Sequence, residues 1–543
     1  MLHVRWLGRV RYRDALALQE GLFAGTADHL LLLEHPHVYT LGVRADLANV
    51  LVPPESVGAE LVRAKRGGDV TYHGPGQLVG YPILSLPTKA GVARSSEYVH
   101  HLEQVLIDAL SDLGLPGAGR LDGQPGVWLD GGRKIAAIGV RNTRGRTMHG
   151  FALNVDPDMA MFRHIVPCGI TDKPVTSLRR EGIDASMADV VDAVVARFLA
   201  WWQPAAHDRA DVAFAHAADG SDLSAFSRGA GAGEPVRLTR RLAAAGVTEG
   251  LSIERRKPDF AVARVKHTAE VLTLKKTMRD LSLVTVCEEA GCPNLSECWA
   301  DGTATFMING ADCTRACGFC LVGTGKPAAL DPDEPARVAE AVDRMGLSFA
   351  VVTAVARDDL DDGGASGFVD TIAAIRHRRP GAQVEVLIPD CKGEPAALDA
   401  IFAARPDVLN HNLETVARLQ RAVRPSASYA RSLAVLARAK AAGLLVKSGL
   451  IVGMGETDDE VVEALADLAA VGVDVVTIGQ YLRPTTNHLP IHRWVEPATF
   501  EAWRAAGEAL GIGHVEASPL TRSSHHARDA AAHVAAREGR NSA

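Results

Sequence analysis

The sequence predicts an α/β protein with at least two domains, and three observations support this. Its 543 residues exceed what one hydrophobic core organises, and 47% hydrophobic with 23% charged residues is typical of globular domains. The second half alternates strand and Ala-rich helix patterns, which predicts a parallel sheet or barrel. A stretch rich in Ala, Asp, Gly and Ser separates the halves. We therefore expect domains at 1–203 and 236–543, joined by a flexible linker at 204–235.

The first half predicts an α+β domain. Apolar periodicity indicates helices near 14–23 and 95–114, and Ser186 with Asp189 can cap a third that ends near Trp202. Strands are expected in LLLEHPHVYTLG from residue 30, after the Gly-rich loop that starts at residue 66, and at 126–129, 134–140 and 150–154.

The second half predicts repeated strand-helix units. Its strands are expected at 349–355, 384–389, 408–412, 445–452 and 475–480. In such folds the loops at the strand C-terminal ends carry the ligands.

Composition excludes some functions. A formal charge of −7 with mixed signs gives no basic footprint for nucleic acid. No apolar run approaches a membrane span, and the first residues lack the apolar core of a secretory signal. Crowded cysteines without such a signal favour metal binding over disulfides, because cytosolic thiols stay reduced. We therefore expect a cytoplasmic protein with no membrane or nucleic-acid partner.

Six of the eight cysteines form two triplets. Each triplet offers three thiolates, one short of the four ligands that a [4Fe-4S] cluster takes. An open iron can bind and activate a ligand, whereas a zinc knuckle would need a fourth ligand. The strand-helix repeats that follow favour the iron-sulfur interpretation. The triplets are Cys287, Cys292, Cys298 and Cys313, Cys317, Cys320.

The second triplet, CTRACGFC, resembles the signature of the radical S-adenosylmethionine (SAM) superfamily. That resemblance implies a partial (β/α)6 barrel in which SAM chelates the open iron and yields a 5'-deoxyadenosyl radical. Together with CEEAGCPNLSECW, the chain resembles lipoyl synthase over about 255–530. Further matching segments are VARDDLDDGG, VLIPDCKG, NHNLETV, GLIVGMGET and GQYLRPTTNHLP.

The lipoyl synthase resemblance implies two [4Fe-4S] clusters. The first triplet would hold an auxiliary cluster whose fourth ligand is Ser524, and a serine oxygen suits a cluster that gives up its own sulfur. His525 stands where the family has Tyr, and its imidazole could hydrogen-bond differently or compete for iron. SAM is expected to contact residues after two strands, although the glycines could also form only a tight turn. These residues are Asn412, Glu414, Gly453, Gly455 and Glu456. Cys391 is expected to be a small buried thiol.

In the first domain, RGGDVTYHGPGQ permits close backbone approach to a ligand. With the segments at 132–139, 149–154 and Pro167-Cys168-Gly169, it resembles octanoyltransferase over about 3–202. The resemblance implies a biotin/lipoyl protein ligase-like fold and octanoyl transfer from acyl carrier protein to a lipoyl-domain lysine. A thiolate is the natural nucleophile for such transfer, so Cys168 is the expected nucleophile and Lys134 its partner.

The substrate-binding residues expected from this resemblance fall in three segments: Arg66, Gly67, Gly68, Asp69, Val70, Thr71, Tyr72 and His73; Ala137, Ile138 and Gly139; Gly150, Phe151 and Ala152. His73 is expected near the site, while His149 could be functional or structural. The strands around 78–86 and 135–140 could line an apolar slot for the acyl chain.

The sequence therefore predicts a bifunctional enzyme that installs octanoyl and then inserts two sulfur atoms. Its expected partners are octanoyl acyl carrier protein, lipoyl domains of 2-oxoacid dehydrogenase complexes or glycine cleavage H protein, and an electron donor such as ferredoxin or flavodoxin. Alternatives for the first domain are an ATP-dependent lipoate ligase or a non-catalytic module that binds acyl domains. Alternatives for the second are a methylthiotransferase or biotin synthase.

Overall fold

The computed structural model describes residues 1–87, 95–130, 132–166, 173–212, 234–253, 256–262, 276–281, 283–285 and 303–537. The chain forms two compact units, Met1–Phe214 and Ala215–Ala543. The roles predicted for Cys168 and for the first cysteine triplet, Cys287, Cys292 and Cys298, fall on residues outside the described ones. Lys134, the acyl-binding segments, the second triplet and Ser524 lie within them.

The first unit is built on an eight-stranded mixed sheet of order β11-β1-β2-β6-β10-β9-β8-β7, beside a three-stranded sheet β4-β3-β5. The strands are β1 Leu2–Arg9, β2 Asp28–Glu34, β3 Val38–Leu41, β4 Glu60–Arg63, β5 Val70–His73, β6 Gln77–Ile83, β7 Gly119–Leu121, β8 Gln124–Leu129, β9 Arg133–Thr143, β10 Arg146–Asn154 and β11 His207–Asp211. The helices are α1 Tyr12–Ala24, α2 Ser95–Asp112 and α3 Met187–Trp202.

Helices α2 and α3 cover the large sheet with their apolar faces. Leu102 and Leu106 of α2 and Val190 and Phe198 of α3 are fully buried in one core. Ser186 and Asp189 form the predicted capping box, in which each side chain bonds the other's backbone N–H. The periodicity and the cap together set the start of α3 where the sequence predicts it.

The predicted linker begins too early. Residues His207–Asp211 form β11, which pairs in parallel with β1 at the edge of the sheet. Asp208 also accepts hydrogen bonds from the buried Arg5 (2.7 Å) and from His3 (2.9 Å). The polar, Ala-rich composition hides this strand, because its stability comes from pairing with residues some 200 positions earlier. The rest of the predicted linker lies largely outside the described residues.

The second unit contains an eight-stranded sheet whose strands follow chain order from β12 to β19. The strands are β12 Val284–Thr285, β13 Thr303–Ile308, β14 Phe349–Ala354, β15 Gln383–Leu387, β16 Val408–Asn410, β17 Val446–Val452, β18 Val475–Gln480 and β19 His514–Ser518. The helices are α4 Glu234–Ala244, α5 Glu334–Arg344, α6 Ala365–Arg378, α7 Pro395–Ala403, α8 Gln420–Val423, α9 Tyr429–Ala441, α10 Asp458–Ala470, α11 Pro497–Ala509 and α12 Ala527–Arg537.

The strands β13 to β19 are all parallel, with helices in the crossovers, and only β12 runs antiparallel to its neighbour. Within the described ranges no ladder joins β12 to β19, so the barrel stays open. Helix α12 packs at the strand N-terminal ends, where Ala527 and Ala531 contact Phe349 and Val408. This confirms the predicted partial (β/α)6 barrel and leaves the strand C-terminal ends for a site.

Across the described segments, no helix has both the length and the apolarity needed to span a bilayer.

Candidate functional site

Two adjoining cavities in the first unit contain most of the predicted acyl-binding residues. They share Thr71, Ala137 and Ala152 in their linings. Lys134 lines the first cavity and the Gly-rich loop lines the second. We call the pair the acyl cleft. The second cavity is lined by Arg66, Gly67, Gly68, Thr71, His73, Ala137, Ile138, Gly139, Gly150, Phe151 and Ala152, among others.

Three residues of the predicted loop face elsewhere. Because side chains alternate along β5, Thr71 and His73 face the cleft while Val70 and Tyr72 are buried in the core of the three-stranded sheet. Asp69 accepts a hydrogen bond from Asn49 Nδ2 (2.6 Å) and so ties two loops together. Strand alternation turns Val70 and Tyr72 away from the cleft and Asp69 is engaged with Asn49, so these three side chains do not line the cleft and a substrate contact of theirs stays a prediction.

Two glycines of the acyl cleft are required by close backbone approach. A Cβ on Gly150 would lie 2.1 Å from the carbonyl oxygen of Gly80 on β6. A Cβ on Gly139 would lie 2.9 Å from the carbonyl oxygen of Gly67. Any side chain at these positions would push the strands and the loop apart, so glycine keeps the cleft narrow.

His73 is held as a neutral imidazole. Its Nδ1 donates to Gln77 Oε1 (2.7 Å), because the Gln77 amide nitrogen already donates to Asn154 Oδ1 (2.9 Å). Burial, followed by the nearby His35 and Arg66, holds the pKa of His73 well below its usual range. Arg66 is fixed in turn by donating to both the hydroxyl and the carbonyl of Thr40. The polar side of the cleft is therefore preorganised.

His149 is a cleft residue of different character. It is only 1% exposed, and within the described residues neither of its ring nitrogens has a hydrogen-bond partner. Its backbone is left-handed, with φ at 60°. Burial, then Arg66 and Arg141, lowers its pKa to about 3, so the ring is neutral. A bound polar group would supply the hydrogen-bond partner that these two buried ring nitrogens lack in the described structure.

Lys134 lies on β9 at the mouth of the first cavity. Its Nζ is 4.8 Å from the centre of the Trp128 ring. Behind it, Gly126 has a φ of 123°, and a Cβ there would lie 2.7 Å from Lys134 Cε and 2.4 Å from the carbonyl oxygen of Ala136. The glycine thus leaves room for the lysine side chain.

The described residues that follow the Pro167-Cys168-Gly169 motif pair with the backbone of Lys134. The backbone N–H of Lys134 donates to the carbonyl of Pro174 and its carbonyl accepts from Thr176 N–H, both at 2.9 Å. Lys173 also lines the first cavity. On the other side of the motif, Val166 N–H donates to Asn49 O (2.8 Å). The described residues on both sides of the motif are therefore held by backbone hydrogen bonds, on one side to Lys134, which lines the cleft.

The apolar slot predicted from the strands is present, and some of its walls were missed. Ala136, Ala137 and Ile138 of β9 and Val79 of β6 line the cleft as expected. Tyr81 of β6 also lines it, within the predicted strand. Tyr12 and Phe162 line it as well, although nothing local in their sequence marks them.

In the second unit, Cys313, Cys317 and Cys320 lie in the loop that follows β13, at the predicted end of the barrel. Backbone bonds from Cys313 to Gly323 (2.8 Å) and from Cys320 to Cys317 (3.2 Å) shape this loop. Burial, with smaller contributions from the other two thiols, raises the pKa of Cys320 to about 12, and burial raises that of Cys317. Three clustered thiols fit one metal centre, whose positive charge would be needed to ionise them.

Arg315 fixes this loop to the barrel. Its guanidinium donates to Asp358 after β14 (two bonds of 2.7 Å) and to Asp390 after β15 (2.5 Å). Asp390 is fully buried, and Arg315 holds its carboxyl pKa well below the usual range despite that burial. No sequence pattern marks this role, although both aspartates lie in the segments VARDDLDDGG and VLIPDCKG.

The residues predicted to bind SAM divide into two groups. Asn412 donates to Glu414 Oε1 (3.1 Å) and to Ser523 Oγ (2.7 Å), and its Oδ1 is buried without a hydrogen-bond partner in the described part of the chain. Burial raises the pKa of Glu414, whose backbone φ is 69°. Glu414 also lies near enough to Cys317 to affect its pKa. These two side chains face the cysteine loop and fit a polar ligand there.

Gly453, Gly455 and Glu456 close a turn instead. A Cβ on Gly453 would lie 2.1 Å from Gln480 Nε2, and one on Gly455 would lie 2.4 Å from Val247. The buried Glu456 carboxylate accepts from the backbone N–H of Gly453 and Met454. These contacts support the tight-turn alternative, and a contact with SAM stays a prediction.

Ser524 and His525 follow β19, close to the same site. The neighbouring Ser523 accepts the Asn412 hydrogen bond, which brings the motif to the C-terminal end of β16. Ser524 is half-buried and His525 is buried. Cys391 is buried as predicted, and burial raises the pKa of its thiol to about 12.

Comparison with known proteins supports both units. The Lipoyl protein ligase A/B catalytic domain family matches residues 11–199, and the Radical SAM superfamily matches 308–468. The chain is 55% identical over 275 residues to a lipoyl synthase of Rubrobacter xylanophilus, covering 50% of this chain and 86% of that protein. It is 53% identical over 272 residues to a lipoyl synthase of Mycobacterium leprae, covering 50% and 87%.

Two solved structures are also similar. A bi-partite lipoate protein ligase from Thermoplasma acidophilum, solved in a study that includes its E2 lipoyl domain, is 19% identical with a TM-score of 0.31, covering 38% of this chain and 87% of that one. Methylornithine synthase is 14% identical with a TM-score of 0.32, covering 46% and 82%. The sequence matches identify a chain of the lipoyl synthase family, a family of radical SAM enzymes, fused to a lipoyl protein ligase A/B catalytic domain.

Proposed function

We propose that this chain makes protein-bound lipoyl groups in two steps, octanoyl transfer in the first unit and sulfur insertion in the second. The observation that carries the proposal is the acyl cleft, which combines an apolar slot, an orphaned imidazole and Lys134 in one chain with a lipoyl synthase domain. A lipoyl synthase needs an octanoylated carrier, and the first unit would supply it.

In the first step, the Cys168 thiolate would attack the thioester carbonyl of octanoyl acyl carrier protein. The carrier thiol leaves with a proton, and an enzyme thioester remains. The amine of a lipoyl-domain lysine then attacks this thioester, forms the amide and returns the thiolate. Lys134, as an ammonium, would stabilise the thiolate by its charge and give the departing carrier thiolate its proton; the neutral Lys134 amine would then accept the proton that the attacking amine loses. The neutral His149 ring would hydrogen-bond the carbonyl group of the octanoyl chain.

In the second step, Cys313, Cys317 and Cys320 would hold one [4Fe-4S] cluster, with Asn412 and Glu414 binding polar groups of SAM. Cys287, Cys292, Cys298 and Ser524 would hold a second cluster. When bound, SAM on the first cluster would supply the radical and the second cluster the two sulfur atoms, placed at C6 and C8. Reductive cleavage of SAM takes one electron, so a ferredoxin or flavodoxin is the proposed donor.

The proposed carriers are lipoyl domains of 2-oxoacid dehydrogenase complexes or glycine cleavage H protein, and the proposed location is the cytoplasm. An ATP-dependent ligase is the second candidate for the first unit, because the matching family is named for lipoyl protein ligases. A ligase would need ATP and free acid, and it would not need Cys168.

The test separates the steps with two variants. Cys168→Ala should abolish octanoylation from acyl carrier protein without ATP, and should still convert a pre-octanoylated lipoyl domain. Cys313→Ala should do the reverse. Transfer that continues in Cys168→Ala, or that appears only with ATP and octanoate, would contradict the thioester route.

A further inference from the structure

The last strand and the chain after it bring together a group of polar side chains that the proposed reaction does not use. Glu516 lies on β19, while the imidazoles come from that strand, from the turn after it and from α12. We call this group the C-terminal histidine cluster. Its members are His514, Glu516, His525, His526 and His533.

The cluster is compact. Glu516 lies 3.5 Å from His526 Nδ1 and 3.4 Å from His514 Nε2. The rings of His525 and His526 stack with their centres 3.8 Å apart, at 26°. Ligand atoms of Glu516, His525 and His526 all lie within 4.8 Å of one another.

We propose that Glu516, His525 and His526 bind one divalent first-row transition-metal ion. Two imidazoles and one carboxylate form a ligand set that suits Fe²⁺, Zn²⁺ or Ni²⁺, whereas Mg²⁺ and Ca²⁺ prefer oxygen ligands alone. Ligand bonds of about 2.0–2.2 Å place ligand atoms about 3.0–3.5 Å apart. Glu516 and His526 already lie 3.5 Å apart, so only the pairs that are up to 4.8 Å apart must close in, by about 1 Å. His526 and Glu516 have the freedom for this, since their side chains are 36% and 24% exposed.

The buried ligand, His525, fixes the position of the proposed metal site. His525 is 8% exposed, so its ring is fixed by packing while the other two ligands approach from the more exposed side. His514 faces Glu516 from the same strand and can orient the carboxylate, which is the usual outer-shell role. The site contains no thiolate, so it is chemically distinct from both cysteine triplets. It does not depend on either step of the proposed function.

The proposed metal site lies next to a residue proposed to bind an iron-sulfur cluster. His525 directly follows Ser524, the serine proposed to ligate the second cluster. An ion bound at the cluster of histidines would therefore lie beside a place where iron is proposed to be held. Metal occupancy here can be measured separately from lipoyl synthesis, because the readout is binding and not turnover.

The test uses the full chain with its iron-sulfur clusters reconstituted, in a Cys168→Ala background that removes a competing thiol. Zn²⁺ is titrated by calorimetry, and bound metal is counted by mass spectrometry after desalting. We expect one Zn²⁺ beyond the cluster iron. Glu516→Gln and His526→Gln should each weaken it at least about tenfold. His377→Gln, an exposed histidine on α6, is the matched control and should bind as the parent does.

Fe²⁺ titrated anaerobically should compete for the same single site. Iron content and circular dichroism check that the two variants keep their clusters and fold. A parent chain that takes up no additional Zn²⁺, or an affinity that either Glu516→Gln or His526→Gln leaves equal to that of His377→Gln, would overturn the proposal.

Discussion

The acyl cleft and the cysteine loop are built by opposite means. The cleft is shaped by apolar strands, by glycines that bring backbones together and by imidazoles that burial keeps neutral. The cysteine loop is held by a buried guanidinium between two carboxylates. The cleft therefore combines apolar walls with neutral imidazoles, whereas the cysteine loop is fixed by an ion-pair network that does not include its thiols.

The comparison also predicts where each site is fragile. Removing one partner of a buried ion pair leaves an uncompensated charge, which costs about 3–5 kcal/mol. A methyl group added at the wall of the cleft is expected mainly to displace the groups that it meets. The two sites should therefore fail in different ways, one by unfolding locally and the other by losing positioning.

The largest effect is expected at Arg315. Arg315→Met would leave the buried, charged Asp390 with Arg431, 3.5 Å away, as its remaining cationic partner, so the free energy of unfolding of the second unit should fall by up to about 3–5 kcal/mol. Iron bound by Cys313, Cys317 and Cys320 should fall with it, while octanoyl transfer should be unchanged. Denaturant unfolding and iron analysis measure these effects.

Arg378→Met is the matched control, because Arg378 pairs with Asp343 at 3.3 Å on an exposed surface. It should cost less than about 1 kcal/mol. Equal stability and equal iron in the two variants would show that the Arg315 network does not hold the loop.

A smaller effect is expected at Gly126. Gly126→Ala places a Cβ against Lys134 Cε and the carbonyl of Ala136, in a backbone region unfavourable to alanine. Displacing Lys134 by about 1 Å should lower kcat/KM for octanoyl transfer by about 10- to 100-fold. Gly119→Ala, which would meet nothing within 4 Å, should change neither this rate nor the melting temperature. A rate that Gly126→Ala leaves intact would remove Lys134 from the reaction.

A pH dependence of stability is expected in the first unit, spread over several pH units. Folding lowers the pKa of His149 to about 3 and of His35 to about 4, from an unfolded value near 6.5. The unfolded chain therefore binds more protons between pH 6.5 and 3, so stability falls as the pH falls. Each histidine adds a slope of up to about 1.4 kcal/mol per pH unit. His149→Phe should flatten the curve by one such slope, and an unchanged curve would mean that His149 is not neutral in the fold.

Sequence patterns predicted the elements where burial is periodic. The strands at 475–480 and 446–452 and helix α3 were located within a few residues, because alternation or capping marks them. β11 was missed, since its pairing with β1 joins residues some 200 positions apart. Local composition carries no information on such a contact.

The same distinction applies to the site residues. Motifs located Lys134, Thr71 and the second cysteine triplet, but they could not show that Val70 and Tyr72 face away from the cleft. The role of Arg315 depends on partners 43 and 75 residues further along the chain, so no local motif reveals it. The roles of Cys168 and of the first cysteine triplet stay predictions.

The most direct measurement is one anaerobic reaction of the full chain with octanoyl acyl carrier protein, unmodified lipoyl domain, SAM and a reductant, followed by the intact mass of the lipoyl domain. We expect the octanoyl mass to appear first, and then the mass of the lipoyl form. A lipoyl domain that stays unmodified, or that stops at octanoyl while the chain converts no pre-octanoylated domain either, would contradict the two-step account.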